Sequence, residues 1–183
     1  MNPECLPEMT RRVFLNRTLQ ALGAAAVLPL TAMQPADAGE PGTARRVPRL
    51  RFLNPAEYAT LEAVADTLIP GGGAFPLGAR DVDLALRIDH YLPGLDPAVA
   101  VGFRGALAFI EAKAPALADE TGAFSTLDDD ARHAVLDAML REAGLPRGVL
   151  VATKYFCVLH FYTSERTWSH TGYDGPMLLE ETR

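Results

Sequence analysis

No stretch of this chain narrows its possible folds more than Pro146 to Thr163, PRGVLVATKYFCVLHFYT. Its apolar residues fall on nearly every side of a helical projection, and a helix apolar all round must be wrapped by other elements. Aromatic and β-branched residues would also suit a strand, but the length of the run and the proline at its start favour a helix. The expectation is a helical bundle with this segment at its centre, provided that the rest of the sequence supplies the surrounding helices.

Four further segments carry that pattern. Asn54 is followed by Pro55 and by Glu57, an N-cap, a proline at the first helical position and a partner for a capping box. Tyr58, Leu61, Ala65 and Leu68 then recur at spacings of three and four, and Pro70 with three glycines ends the helix. A second helix is expected from Asp81 to Leu92, with Leu84, Ile88, Tyr91 and Leu92 inward. Asp96-Pro97 repeats the cap-and-proline start, and Phe103, Leu107, Ile110 and Ala114 make the third stripe. Thr126 is the expected cap of a fourth helix that Gly144 ends, with Asp128, Asp129 and Asp130 at the positive end of its dipole. Ser164 is placed to cap one last short turn through Trp168, and an irregular strap follows. The fold class is therefore all-α: a single compact bundle of five to six helices over residues 52–183, with 39–51 as a polar, turn-rich linker.

The first 38 residues read differently. Arg11 and Arg12 precede a weakly apolar run from Leu19 to Met33, and Ala36-Asp37-Ala38 forms a small-x-small cleavage site. About 15 apolar residues are too few to span a bilayer, which needs about 20. The stretch TRRVFLN, with Arg11, Arg12, Phe14 and Leu15, resembles a twin-arginine export signal, with Asn16 where lysine is common. Residues 1–38 are thus expected to be a cleavable signal peptide, which implies a bacterial protein sent folded to the periplasm. The leader holds three acids and three bases, so the formal charge of −6 belongs to the mature domain as well. That acidity, with no basic patch interleaved with aromatics, argues against nucleic-acid binding.

The chain offers little catalytic chemistry of its own. GGGAFPLG follows a helix rather than a strand, so it reads as a helix connection and not as a phosphate loop. There is no Cys-x-x-Cys-His haem site, and cleavage after Ala38 removes Cys5 and leaves Cys157 alone. In an oxidising compartment an odd cysteine is either a buried thiol or one half of an intersubunit disulfide. Cys157 and His160 share a helical face and could form half a metal site with His170, but Cys157 reads better as a core residue. Ser125, His133 and Asp137 lack the elbow motif of a hydrolase. The Asp128–Asp130 run lacks the glycine and distal glutamate of a calcium loop. No catalytic, cofactor-binding or metal residue is assigned.

The remaining unusual segment is Trp168 to Pro176, WSHTGYDGP. It can serve as a strap over the core, and its aromatic anchors and rigid turn equally suit a partner-docking element. Trp168, Tyr173, Asp174, Gly175 and Pro176 are the candidate partner contacts. The pieces LEAVADTLIP and GYDGP, joined by helices and led by paired arginines, resemble the gluconate 2-dehydrogenase subunit 3 family from about Phe52 to Pro176. The loop after Pro70 departs from the family, because Leu77 separates Pro76 from Gly78-Ala79. Phe161-Tyr162 and Trp168 stand where the family often has a tyrosine pair and a tryptophan. The resemblance implies a non-catalytic small periplasmic subunit of a membrane-associated dehydrogenase. Its large partner would carry FAD and oxidise gluconate-like sugar acids, sugars or polyols, and a further subunit would be a multihaem cytochrome c. A standalone periplasmic scaffold, or an independent enzyme, are the competing expectations.

Overall fold

Asn54 opens the bundle as its chemistry requires. Its Oδ1 accepts the Glu57 N–H at 2.9 Å, and the Glu57 carboxylate accepts the Asn54 N–H at 2.9 Å, so two otherwise orphaned donors of the first turn are satisfied. The computed structural model describes residues 49–73 and 75–175; the leader and Pro176 lie outside them, and with them the expected contributions of Arg11, Arg12, Phe14, Leu15, Ala36 and Ala38. Among the described residues six α-helices follow in order: α1 Pro55–Leu68, α2 Leu84–Tyr91, α3 Pro97–Ala112, α4 Asp129–Arg141, α5 Leu145–Tyr162 and α6 Glu165–Thr171. Among the described residues there is no strand. The all-α bundle is as expected.

α5 runs along the whole core. Its first half, with Val149, Leu150 and Ala152, packs with Val64 of α1, Ile110 of α3 and Val135 and Met139 of α4. Its second half, with Cys157 and Phe161, packs with Leu61, Ile88, Phe103 and Leu107. The third-helix stripe is sound in every member: Phe103, Leu107, Ile110 and Ala114 are fully buried. The expected wrapping of α5 is not observed. Among the described residues its neighbours α1 to α4 cover one side, and Val151, Val158, Leu159 and Tyr162 on the opposite side are 36 to 51 % exposed.

Three local expectations also change. Asp83 adopts a left-handed conformation at φ 50°, so the expected second helix splits into a 3-10 turn at Arg80–Val82 and α2. Tyr91, expected inward, is 45 % exposed. The cap of α4 is Asp128, whose carboxylate accepts the Ala131 N–H at 2.9 Å; the Thr126 hydroxyl instead donates to the Ala123 carbonyl at 2.7 Å. Ser164 does stand at the N-cap of α6, but it makes no capping hydrogen bond with its side chain.

Two tertiary devices had no local signature. Asp89 of α2 is fully buried, and its carboxylate accepts the backbone N–H groups of Arg51, Phe52 and Leu53 at 2.6, 3.1 and 2.7 Å. It fastens the entering chain, so Arg51, at the end of the expected linker, is already tied to the bundle. The second device is the loop from Pro70 to Gly78. The Gly78 N–H donates to the Asp81 carboxylate at 2.6 Å, and the Ala79 N–H donates to the Ile69 carbonyl at 2.9 Å. The loop so closed sets Phe75 edge-on against Phe161 at 5.5 Å and Tyr162 at 6.1 Å.

Candidate functional site

The side of α5 turned away from α1 to α4 is the most distinctive surface among the described residues. Among the described residues ten large apolar side chains are exposed, and five of them lie on this helix: Val151, Tyr155, Val158, Leu159 and Tyr162, at 36 to 51 % exposure. Val151, Tyr155, Val158 and Tyr162 are spaced by four, three and four, which places them in one stripe, with Leu159 beside it. From Val151 to Tyr162 the stripe runs about 16 Å at the helical rise. Scattered exposed apolar residues are ordinary, whereas a contiguous row on one helix marks a contact surface.

Arg147 and Lys154 flank the row and are exposed, and α5 carries no acidic residue. Arg147 Nε donates to the Leu140 carbonyl at 2.7 Å, which sets a cation at the negative end of α4. Where α5 ends, Tyr162 meets Phe75, and Phe75 meets His170 of α6 at 5.7 Å. The row of exposed side chains is therefore joined to α6 through the Pro70–Gly78 loop.

The expected partner residues that are described, Trp168, Tyr173, Asp174 and Gly175, lie at the far end of α6. The Trp168 and Tyr173 rings are perpendicular, with centroids 5.3 Å apart. The Tyr173 N–H donates to the Trp168 carbonyl at 3.1 Å, after Gly172 reverses the chain at φ 68°. Gly175 is buried at φ 106°, and a Cβ there would come within 3.1 Å of the indole. The glycine is needed twice, for its conformation and for the close approach. Trp168, Tyr173 and Gly175 thus form one knuckle, with Asp174 exposed between them. Trp168 also lines a cleft of about 390 Å³ with Arg87, His90, Ser164 and Arg166. Arg166 is anchored there by donating to the Asp81 carbonyl at 2.5 Å and pairing with Asp83 at 3.3 Å.

The titratable residues singled out in the sequence are not brought together. Ser125 donates its hydroxyl to Glu111 at 2.6 Å, and His133 Nδ1 lies 2.8 Å from the Asp129 carbonyl oxygen, so the two serve separate local structures. His160 is buried beside Tyr91, with ring centroids 4.5 Å apart. Burial, and secondly the Arg87 charge, lower its pKa below the ordinary value, which keeps the ring neutral at pH 7. Among the described residues no three His, Cys, Asp or Glu side chains converge as metal ligands would.

Cys157 is fully buried, and desolvation pushes its thiol up to about 12. A bridge from it to another chain would require α5 to part from α2 and α3. With Cys5→Ser removing the other thiol, the folded protein is expected to resist a thiol reagent at mildly alkaline pH. It should react only at the rate of unfolding, as a stopped-flow reagent assay alongside circular dichroism would read. Fast labelling of the native protein would show that α5 opens locally.

The exposed face of α5 had a sequence signal. Arg147 and Lys154 lie seven residues apart on one side of the helix. A fully wrapped helix could not keep both wet, so that side had to face solvent. Phe75 and Tyr91 had no such signal.

Among curated proteins and among solved structures none matches this chain. The family model for gluconate 2-dehydrogenase subunit 3 matches residues 55–175, from the first residue of α1 to the buried glycine of the knuckle. That span takes in every described helix and the whole Trp168–Gly175 turn, and the chain belongs to the gluconate 2-dehydrogenase subunit 3 family.

Proposed function

We propose that this chain is a non-catalytic subunit that grips an FAD-containing dehydrogenase and supplies its export address. The observation that carries the reading is the family match over the entire helical domain, since the family is a subunit of a dehydrogenase assembly. The exposed row on α5 supports it, because a subunit needs a contact surface and this helix offers an apolar one.

The partner in this reading is a large flavoprotein acting on gluconate-like sugar acids, sugars or polyols, with a membrane-bound multihaem cytochrome c as a further subunit. A flavoprotein acquires FAD in the cytoplasm and must then cross the membrane folded. The twin-arginine leader, with Arg11 and Arg12, would serve both chains, and the assembly would work in the periplasm. The small subunit binds no cofactor in this scheme; its work is holding and addressing.

Deleting residues 1–38 is expected to leave the flavoprotein, with its FAD, in the cytoplasm. Fractionation followed by flavin absorbance and dehydrogenase assay reads the result. A flavoprotein that still reaches the periplasm would show that the address lies elsewhere. Dehydrogenase activity from this chain purified alone would overturn its non-catalytic role.

A further inference from the structure

We infer that the exposed face of α5 docks into an apolar groove rimmed by Asp and Glu carboxylates on the large subunit, an assignment that rests on the accessory-subunit reading above. Val151, Val158, Leu159 and Tyr162 supply the anchors at the spacings by which a helix fills a groove. Arg147 and Lys154 supply the rim.

Charge selects the occupant. The whole chain is acidic, at −6, yet α5 carries the exposed cations Arg147 and Lys154 and no acid. The exposed positions of the neighbouring α2 are His90 and Tyr91, and its aspartate, Asp89, is buried under the entering chain. A two-fold pairing of this face with itself would lay cation against cation with no carboxylate from α5 or the exposed part of α2 to answer it. A head-to-tail pairing with acidic surface elsewhere on a second copy would build a ring or an open filament rather than a two-fold dimer. A different protein with carboxylates around an apolar groove satisfies both the row and its rim. Charges at the rim would chiefly speed association, while the apolar anchors would hold the complex together.

The test uses the full chain, tagged and expressed in its native host, and reads the flavin-bearing dehydrogenase chain retained with it. Val158→Asp places a charge in the middle of the row at an exposed position, so the helical circular dichroism and melting temperature should match wild type. Retention of the flavin chain is expected to fall about thirtyfold, because the complex would have to bury an unpaired carboxylate in the apolar row. Lys154→Glu leaves the apolar row intact and should reduce retention about tenfold at low salt, with the deficit shrinking as salt rises. A photo-crosslinking amino acid at Val158 should join the flavin chain at a peptide bearing Asp or Glu beside apolar residues. Wild-type retention with no loss in a folded Val158→Asp protein would overturn this surface and leave the subunit reading standing. A crosslink to a second copy, or to residues 1–48 of the same chain, would overturn the assigned occupant. If the wild-type chain retains no flavin protein, the subunit reading fails and this surface fails with it.

Discussion

Replacing Asp89 with alanine is expected to destabilise the domain by about 3–5 kcal/mol, because three hydrogen bonds to one carboxylate are lost and their backbone donors are left behind. The carboxylate is fully buried and accepts three consecutive backbone N–H groups, from Arg51, Phe52 and Leu53. Alanine would leave those donors without an acceptor, at least one of them in the core, and an unanswered buried donor costs about 1–3 kcal/mol. Leu53, itself buried, would lose the contact that fixes its backbone. The melting temperature should fall on the order of 10 °C or more. Asp89→Asn makes the test specific. One amide oxygen can keep the bonds of Phe52 and Leu53, which both go to Oδ1, but the amide NH₂ then faces the Arg51 donor. The asparagine variant should therefore lie between alanine and wild type. His90→Ala serves as control, because its ring makes only an exposed 3.3 Å contact with the Arg49 carbonyl. Equal stability of Asp89→Ala and wild type in urea titration would show that the N–H groups find water or another acceptor.

The same clamp shows where sequence reading ends. Caps are legible because both partners lie within a few residues: Asn54 with Glu57, and Asp96 with the Ala98 N–H. Even there, two cap-forming residues close together, such as Thr126 and Asp128, compete; the cap goes to the residue whose oxygen reaches a free N–H of the first turn. Stripes are legible because spacing reports the face, and Phe103, Leu107 and Ile110 are buried as their period requires. Asp89 bonds residues 36 to 38 positions away, so no local pattern announces it. The break at Asp83 is non-local too, since Arg166, 83 residues later, grips the turn through Asp83 and the Asp81 carbonyl. As for the candidate site, the sequence marked out Trp168, Tyr173 and Gly175, which the fold gathers into one knuckle. It misleads on α5, because apolar residues all round do not require burial all round by this chain's own helices. An apolar row can equally be kept dry by another molecule, and the two flanking cations are the mark that tells the cases apart.

Gly78→Ala is expected to be the second most damaging single change, at about 3 kcal/mol, the upper end of ordinary overpacking. A Cβ at Gly78 would overlap the Gly71 nitrogen and lie 2.7 Å from the Gly71 Cα and 3.0 Å from the Pro70 carbonyl carbon. All three are backbone atoms, so no rotamer change relieves the clash, and the two limbs of the Pro70–Gly78 loop must separate. Separation would break the bond from the Gly78 N–H to Asp81 and draw Phe75 away from Phe161, Tyr162 and His170. Gly73→Ala is the matched control: nothing lies within 4 Å of a Cβ there, and a stability change within about 0.5 kcal/mol is expected. Phe75→Ala divides the effect of Gly78→Ala into its parts. It removes the aromatic contact without forcing the loop apart, so it should cost less stability than Gly78→Ala. If Tyr162 needs Phe75 to hold its ring at the end of the α5 row, Phe75→Ala should also weaken retention of the flavin chain, measured on folded protein. Loss of stability in Gly78→Ala with full retention in Phe75→Ala would confine the loop to a structural role. Loss of retention in both would make the loop the support on which the docking face depends.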